Sequence, residues 1–339
     1  MPTISRKWVL KPSNRIVILS AILIFLFWLG QYGFSILSAP PPPKEGENAL
    51  WVGLEWVETP LSENKYRQLA TQLRAHRIRY LFVYATWFTK NGMPRYWIAE
   101  NLSHFARKIK RFYPEVRVLA WVGIPTTTLG RGEVNLDDPT VRNQMVTWCA
   151  QLAALNGIDG LHVDAEPVPD GSTGFLLLLD DLRQAIGPHA LLSVAGEDVL
   201  PQPWGLRLPY LAQVKWGLRF YHEIARRVDQ IALMSYDSGL PLAGVYGLWT
   251  AWQTRQVLRA VQDTEAVVWI GLPAYSEWTW THLPWAERLE SGLWGLRWGL
   301  GSLPLEDRSA FRGVALYAEW AMGRREWETF EKLWVNAGK

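Results

Sequence analysis

The chain has 339 residues, 49% of them hydrophobic and 20% charged, a balance that supports a large buried core and excludes a disordered protein. Lys and Arg total 35 against 32 Asp and Glu, but Arg6, Lys7, Lys11 and Arg15 fall in an acid-free N-terminal stretch; the remainder is near neutral and has no basic run of the kind nucleic acid requires. The single Cys149 excludes an internal disulfide, and six histidines with neither HExxH spacing nor any close pair give no readable metal site, so no metal or cofactor is expected.

Residues 16–39, IVILSAILIFLFWLGQYGFSILSA, are 24 consecutive residues without a charge. At 1.5 Å per helical residue they are long enough to cross a bilayer core of ~30 Å, which predicts a transmembrane signal anchor. A cleavable signal peptide is the competing reading; the length of the apolar run and Pro40 directly after Ala39 stand against it. Cations before the span and none immediately after it predict a cytoplasmic tail over residues 1–15. The protein is then single-pass with its body outside the cytoplasm, or secreted if the segment is removed. Residues 40–48, PPPPKEGEN, read as a Pro-rich linker, either a stiff polyproline spacer or a plain disordered joint.

From residue 49 to 339 short apolar or aromatic runs alternate with helical periodicity. Strands are predicted at 49–57, 78–86, 116–124, 158–166, 190–197, 230–236, 267–275 and 312–319. Between them lie helical patterns such as SENKYRQLATQLRAH, AENLSHFARKIKRF and DPTVRNQMVTWCAQLAALNG. The last of these has Asp138 as N-cap, Pro139 at the first helical position and Gly157 past the end. Strand starts recur every 29 to 45 residues, the rhythm of βα units around a parallel sheet. Eight such units predict an α/β fold, a (β/α)8 TIM barrel behind one N-terminal transmembrane helix. A doubly wound sheet is the alternative, but no glycine-rich phosphate loop follows the first strand, where GLEWVETP stands.

In a barrel, function belongs at the C-terminal strand ends. Those ends carry Glu55, Tyr84, Asp164, Glu166, Glu197, Tyr236, Asp237, Tyr275 and Glu319. In GIDGLHVDAEPVP, residues 157–169, the residues His162, Asp164 and Glu166 occupy alternate positions and therefore share one face of a strand. Asp164 and Glu166 lie roughly 6.5 Å apart along it. Such a pair suits glycoside hydrolysis, one acid protonating the leaving oxygen while another group meets the developing positive charge. Both acids approach from the same side, so the nucleophile must come from elsewhere, and the substrate's own 2-acetamido oxygen is one candidate.

DGLHVDAE (159–166) resembles the DGxDxDxE strand of glycoside hydrolase family 18, the chitinase family, with His162 where the middle acid is expected. IALMSYD (231–237) is similar to that family's sixth-strand MxYD element, GLPAY (271–275) to its seventh-strand element, and LDDPTVRNQMV (136–146) to its third loop and helix. The resemblance covers roughly residues 50–335. It implies that Glu166 is the general acid, that Asp164 orients the acetamido group and stabilises an oxazolinium, and that Tyr236 donates a hydrogen bond to the acetamido oxygen. It also implies that Met234 lines the pocket floor, that Asp237 touches the sugar, and that Tyr317, or Trp320 nearby, takes the place of the family's eighth-strand tryptophan. Asp159, His162, Tyr84, Glu55 and Tyr275 complete the expected substrate-binding set. A neutral imidazole at 162 could donate to the Asp164 carboxylate, and an imidazolium could pair with it, but neither copies an exchange of one proton between two acids. The implied partner is a polysaccharide or oligosaccharide containing N-acetylglucosamine, cleaved by a retaining, substrate-assisted route. The alternatives are a catalytically weak or inactive carbohydrate-binding barrel and a barrel with different chemistry.

Overall fold

The structure is a computed structural model, which describes residues 12–43, 46–130, 132–201 and 214–337. Most of the basic tail expected over 1–15, together with Lys44 and Glu45 of the expected linker, lies outside the described residues.

Eight parallel strands close into a barrel in chain order: β1 (Asn48–Val52), β2 (Ile78–Trp87), β3 (Arg117–Pro125), β4 (Gly160–Glu166), β5 (Leu191–Gly196), β6 (Gln230–Met234), β7 (Val267–Pro273) and β8 (Phe311–Tyr317). The ring closes where Ala49 and Leu50 pair with Ala315 and Leu316, which rules out the open doubly wound sheet. All eight strands fall where the alternating runs predict them. Ahead of the barrel stands α1 (Pro12–Ile36); around it run α2 (Glu63–Ala75), α3 (Ala99–Phe112), α4 (Pro139–Ala153), α5 (Thr173–Ile186), α6 (Leu218–Ala225), α7 (Ala243–Ala260), α8 (Leu289–Gly301) and α9 (Arg324–Phe330).

Strand parity divides the core in two. Outward residues such as Leu50, Leu81, Val118, Val163, Ile231 and Val314 meet apolar helix faces in one large cluster. Inward residues, among them Trp51, Phe82, Leu119, Trp121, Ala232 and Trp269, fill the barrel itself. The interior is therefore packed side chain rather than pore, with the acids at its upper end. Local signals start the helices as the sequence indicates. Asp138 accepts the Thr140 N–H at 2.8 Å, with Pro139 in the first turn of α4, and Ser172 accepts the Phe175 N–H at 3.3 Å at the start of α5.

The helix α1 is long and apolar enough over Ile16–Gly33 to cross a membrane, and its residues 16–29 are exposed. Toward its C-terminal end the helix is packed: Gln31 is buried, its side-chain oxygen accepting the Ala243 N–H at 3.1 Å and its amide donating to the Trp285 carbonyl.

Candidate active site

Three inward positions of β4 rise toward the mouth. His162 is fully buried, Asp164 is 7% exposed, and Glu166, the last residue of the strand, is exposed. Register sets Trp121 of β3 beside His162 and Gly123 beside Asp164. The long Trp121 indole reaches up one pleat and donates its N–H to Asp164 Oδ2 at 2.8 Å. Gly123 is required there, because a Cβ at that position would meet the Trp87 indole at 2.5 Å.

His162 does not hold Asp164, contrary to the expectation from its spacing. Its ring lies flat on Phe82, centroids 3.8 Å apart at 8°, with its edge toward Trp51. That plane turns Nδ1 sideways to Ser193 Oγ of β5 at 2.9 Å, and Nε2 has no hydrogen-bond partner among the described residues. Burial pushes the imidazole pKa down to about 3, so at neutral pH it is an uncharged filler of the barrel.

The acids above it are strongly perturbed. Glu166 is open to solvent at the mouth but walled by protein, and desolvation, then the charges of Asp164 and Glu197, hold its carboxyl well above the usual range. Burial also raises Asp164, opposed by hydrogen bonds from Glu166 and Trp121 that favour its ionised form. The proton of the pair therefore rests on Glu166 and the charge on Asp164. Glu197, next after β5, is pushed up to about 8 by burial and then by the Asp198 charge, while Lys215, which pairs with Asp198 at 2.5 Å, opposes the rise.

An aromatic wall faces the acids across the mouth. Tyr236, just beyond β6, stacks on Tyr317 of β8 with centroids 5.0 Å apart at 21°. Tyr275 meets Tyr236 edge-on at 6.3 Å and Tyr317 at 5.8 Å. Trp320 is on the rim, 49% exposed and edge-on to Tyr317 at 5.6 Å. Tyr84 lies on the opposite wall, edge-on to Trp121 at 5.8 Å. Burial keeps the Tyr236 phenol protonated, so its O–H remains a donor. Met234 ends β6, two residues before Tyr236. Glu55, in the turn after β1, is exposed and perturbs Glu319 beside β8, whose pKa is raised to about 7 by burial; Glu319 also accepts the Trp56 indole N–H at 2.8 Å.

Asp237 is exposed and left-handed at φ 56°. Its Oδ1 accepts the Tyr275 hydroxyl at 2.5 Å and lies 3.5 Å from His282 Nδ1, which is 3.2 Å from Glu287 Oε2. One ligand atom from each of Asp237, His282 and Glu287 lies within 4.8 Å of the others, a donor set with the geometry to hold a cation. Hydrogen bonding accounts for the same distances. The residues come from two loops 45 positions apart, so no spacing motif could have revealed them.

Of the sequence-predicted site residues, His162 lies buried in the barrel below the acids, and the one placed at the far end is Asp159. It precedes β4 at the opposite end of the barrel, where its carboxylate pairs with Lys110 at 2.7 Å and Arg117 at 3.0 Å and accepts the Val118 N–H at 2.7 Å. An acid seven positions before Glu166 on a rising strand cannot reach the mouth, so Asp159 is a clamp between strands rather than a sugar ligand. Sequence reasoning missed Trp121 and Ser193. The parity of VLAWVGI marks Trp121 as inward, but nothing in the linear pattern shows that its N–H reaches a different strand's acid.

No curated protein sequence is detectably similar to this one. The fold is like that of the spore cortex-lytic enzyme SleL of Bacillus cereus, with a TM-score of 0.57 and 12% identity over 87% of this chain and 76% of that one. It is also like a class V chitinase from Pseudomonas fluorescens Pf-5, with a TM-score of 0.55 and 15% identity over 84% and 98%. A third relative in fold is a family 18 N-acetylglucosaminidase from Paenibacillus barengoltzii, with a TM-score of 0.54 and 13% identity over 84% and 99%. At these identities the likeness concerns the fold. The family itself is given by the sequence model for glycosyl hydrolases family 18, which matches residues 59–327. That match spans the strand bearing Asp164 and Glu166, the aromatic wall and nearly the whole barrel, and by it the chain belongs to family 18 of the glycosyl hydrolases.

Proposed function

We propose that the protein is a membrane-anchored glycosidase that cleaves β-linked N-acetylglucosamine-containing glycans outside the cytoplasm, retaining the anomeric configuration. The observation that carries the reading is the division of labour on β4: a protonated Glu166 at the open mouth directly above a charged Asp164 whose carboxylate is fixed by Trp121. Two acids with separated titrations in one cleft are the arrangement a general acid and an electrostatic stabiliser require.

Glu166 protonates the glycosidic oxygen as the bond to the anomeric carbon breaks. The substrate's acetamido oxygen attacks that carbon from the opposite face, and Asp164 stabilises the cationic oxazolinium this forms. Tyr236 donates to the acetamido oxygen, Tyr317 and Met234 form the floor, and Tyr84, Tyr275, Asp237, Glu55 and Trp320 line the approach. Water then opens the ring, giving its proton to the Glu166 carboxylate, and the product keeps its configuration.

The chain divides on this reading into a cytoplasmic tail (1–15), an anchor (16–39), a linker (40–48) and a catalytic barrel (49–339). The charge-free stretch 16–39, with cations on its N-terminal side, supports the topology. Incubating the detergent-solubilised full chain with chitooligosaccharides and their de-N-acetylated counterparts, with the first-formed anomer followed by NMR, tests class and mechanism together. Cleavage of the acetylated series alone, with retention, is expected. Inverted product refutes the acetamido mechanism, and no cleavage of any member refutes the glycosidase reading for these glycans.

A further inference from the structure

The end of the barrel that faces the bilayer can be read from how α1 leaves it. Gly30 packs on Leu242, and Gln31 bonds to Ala243 and Trp285, all in the loops that follow β6 and β7 or at the start of α7. Downstream, the Trp294 indole donates to the Leu37 carbonyl at 3.0 Å, Arg297 donates to Ala39 at 2.8 Å and to Pro40 at 2.6 Å, and Gly301 lies against Pro40. Since α8 runs from the C-terminal face of the barrel to the opposite one, the chain descends its flank from mouth to base before entering β1. Traced the other way, α1 rises past the mouth, and residues 16–29, exposed throughout, continue for about 21 Å beyond the last contact.

The rim on this side exposes large apolar side chains among polar ones such as Glu277, Thr279 and Thr281. Trp280 is 88% exposed, Trp278 52% and Trp285 47%, all in the loop after β7; Leu248 of α7 is 60% exposed. Tryptophans at the level where an apolar helix emerges are the signature of an interfacial belt.

We propose that the barrel sits mouth-first on the bilayer, with the loops after β6 and β7 in the headgroup layer, so that the cleft draws its glycan from the membrane-surface layer. This rests on the anchoring reading of α1. Asp237 and Tyr275, which belong to these same two loops, place the candidate site beside the contact rather than on its far side. The packed end of α1 fixes this orientation, which a free proline tether would not.

The test uses the full chain in phosphatidylcholine vesicles containing headgroup-nitroxide lipid, with an environment-sensitive fluorophore attached through Trp280→Cys, or through Glu265→Cys at the base of the barrel. Cys149 is buried, and labelling of the parent chain controls for it. The proposal expects several-fold stronger nitroxide quenching at 280 than at 265, with Trp278→Cys giving the same result as an independent site. Equal quenching at both ends overturns it. So does a label at 280 that lipid leaves unquenched and chitotetraose protects, which would make the rim a sugar platform. Flotation with the vesicles reads anchoring separately, so a chain that fails to float refutes the anchor itself.

Discussion

Trp121 gives its indole N–H to Asp164 Oδ2 over 2.8 Å from the neighbouring strand, so the direction in which this buried acid faces depends on β3. Asp164 is thus held from the side by Trp121 and meets the Glu166 carboxyl above it, the group with which it shares the proton of the pair.

Trp121→Phe keeps the ring and deletes the donor. Misorientation of Asp164 should lower kcat by about 10- to 100-fold with a smaller change in KM. The bond favours the charged acid, so its loss should also raise the Asp164 pKa and move the acidic limb of the kcat profile to higher pH. An unshifted limb with full kcat would show that Asp164 is oriented by something else.

Glu166→Gln preserves shape and removes the transferable proton. Cleavage should fall by ~10²–10⁴ while chitooligosaccharide binding, followed by calorimetry, persists. In the parent protein the acid form is the active one and its pKa is raised, so activity should hold into neutral pH and decline as pH rises through that value. Turnover by the Gln variant at the parent rate would remove Glu166 from the mechanism.

Asp159→Asn separates the base of the barrel from its mouth. The change weakens the pairs with Lys110 and Arg117 and should cost about 1–2 kcal/mol, seen as a lower Tm, while kcat and KM stay at parent values. A raised KM with unchanged Tm would return Asp159 to the substrate.

The barrel was legible because period-2 apolar runs and helical stretches recur along the chain, and burial enforces both patterns. Asp164, Glu166, Tyr236 and Tyr275 were legible because strand ends in a barrel converge by construction, and Tyr317 through its resemblance to the family's eighth-strand position. What could not be read was lateral. Parity puts His162 on the same face as Asp164, but whether its ring turns upward or sideways is decided by Phe82 and Ser193 on other strands. Asp159 is the converse case, where a motif match concealed that seven residues of strand separate it from the mouth.

His162 carries the last prediction. With a folded pKa near 3 against about 6.5 in the unfolded chain, the unfolded state binds the additional proton. This group's contribution is therefore constant above about pH 6.5, and stability is lost progressively as pH falls toward 3. His162→Asn, which can keep a hydrogen bond to Ser193 and does not titrate, should flatten the fall in Tm between pH 7 and pH 4. His162→Ala should lose about 2–4 kcal/mol at neutral pH through the cavity left beneath Phe82, a deficit that narrows as pH falls because the variant lacks the titrating ring, with kcat reduced less than in Trp121→Phe. His162→Asp would bury a second carboxyl below Asp164, where like charge raises the Asp164 pKa and shifts the acidic limb upward. If the Asn variant keeps the parent's acid sensitivity while the Ala variant loses activity without losing stability, His162 is not a neutral filler but acts on Asp164 after all.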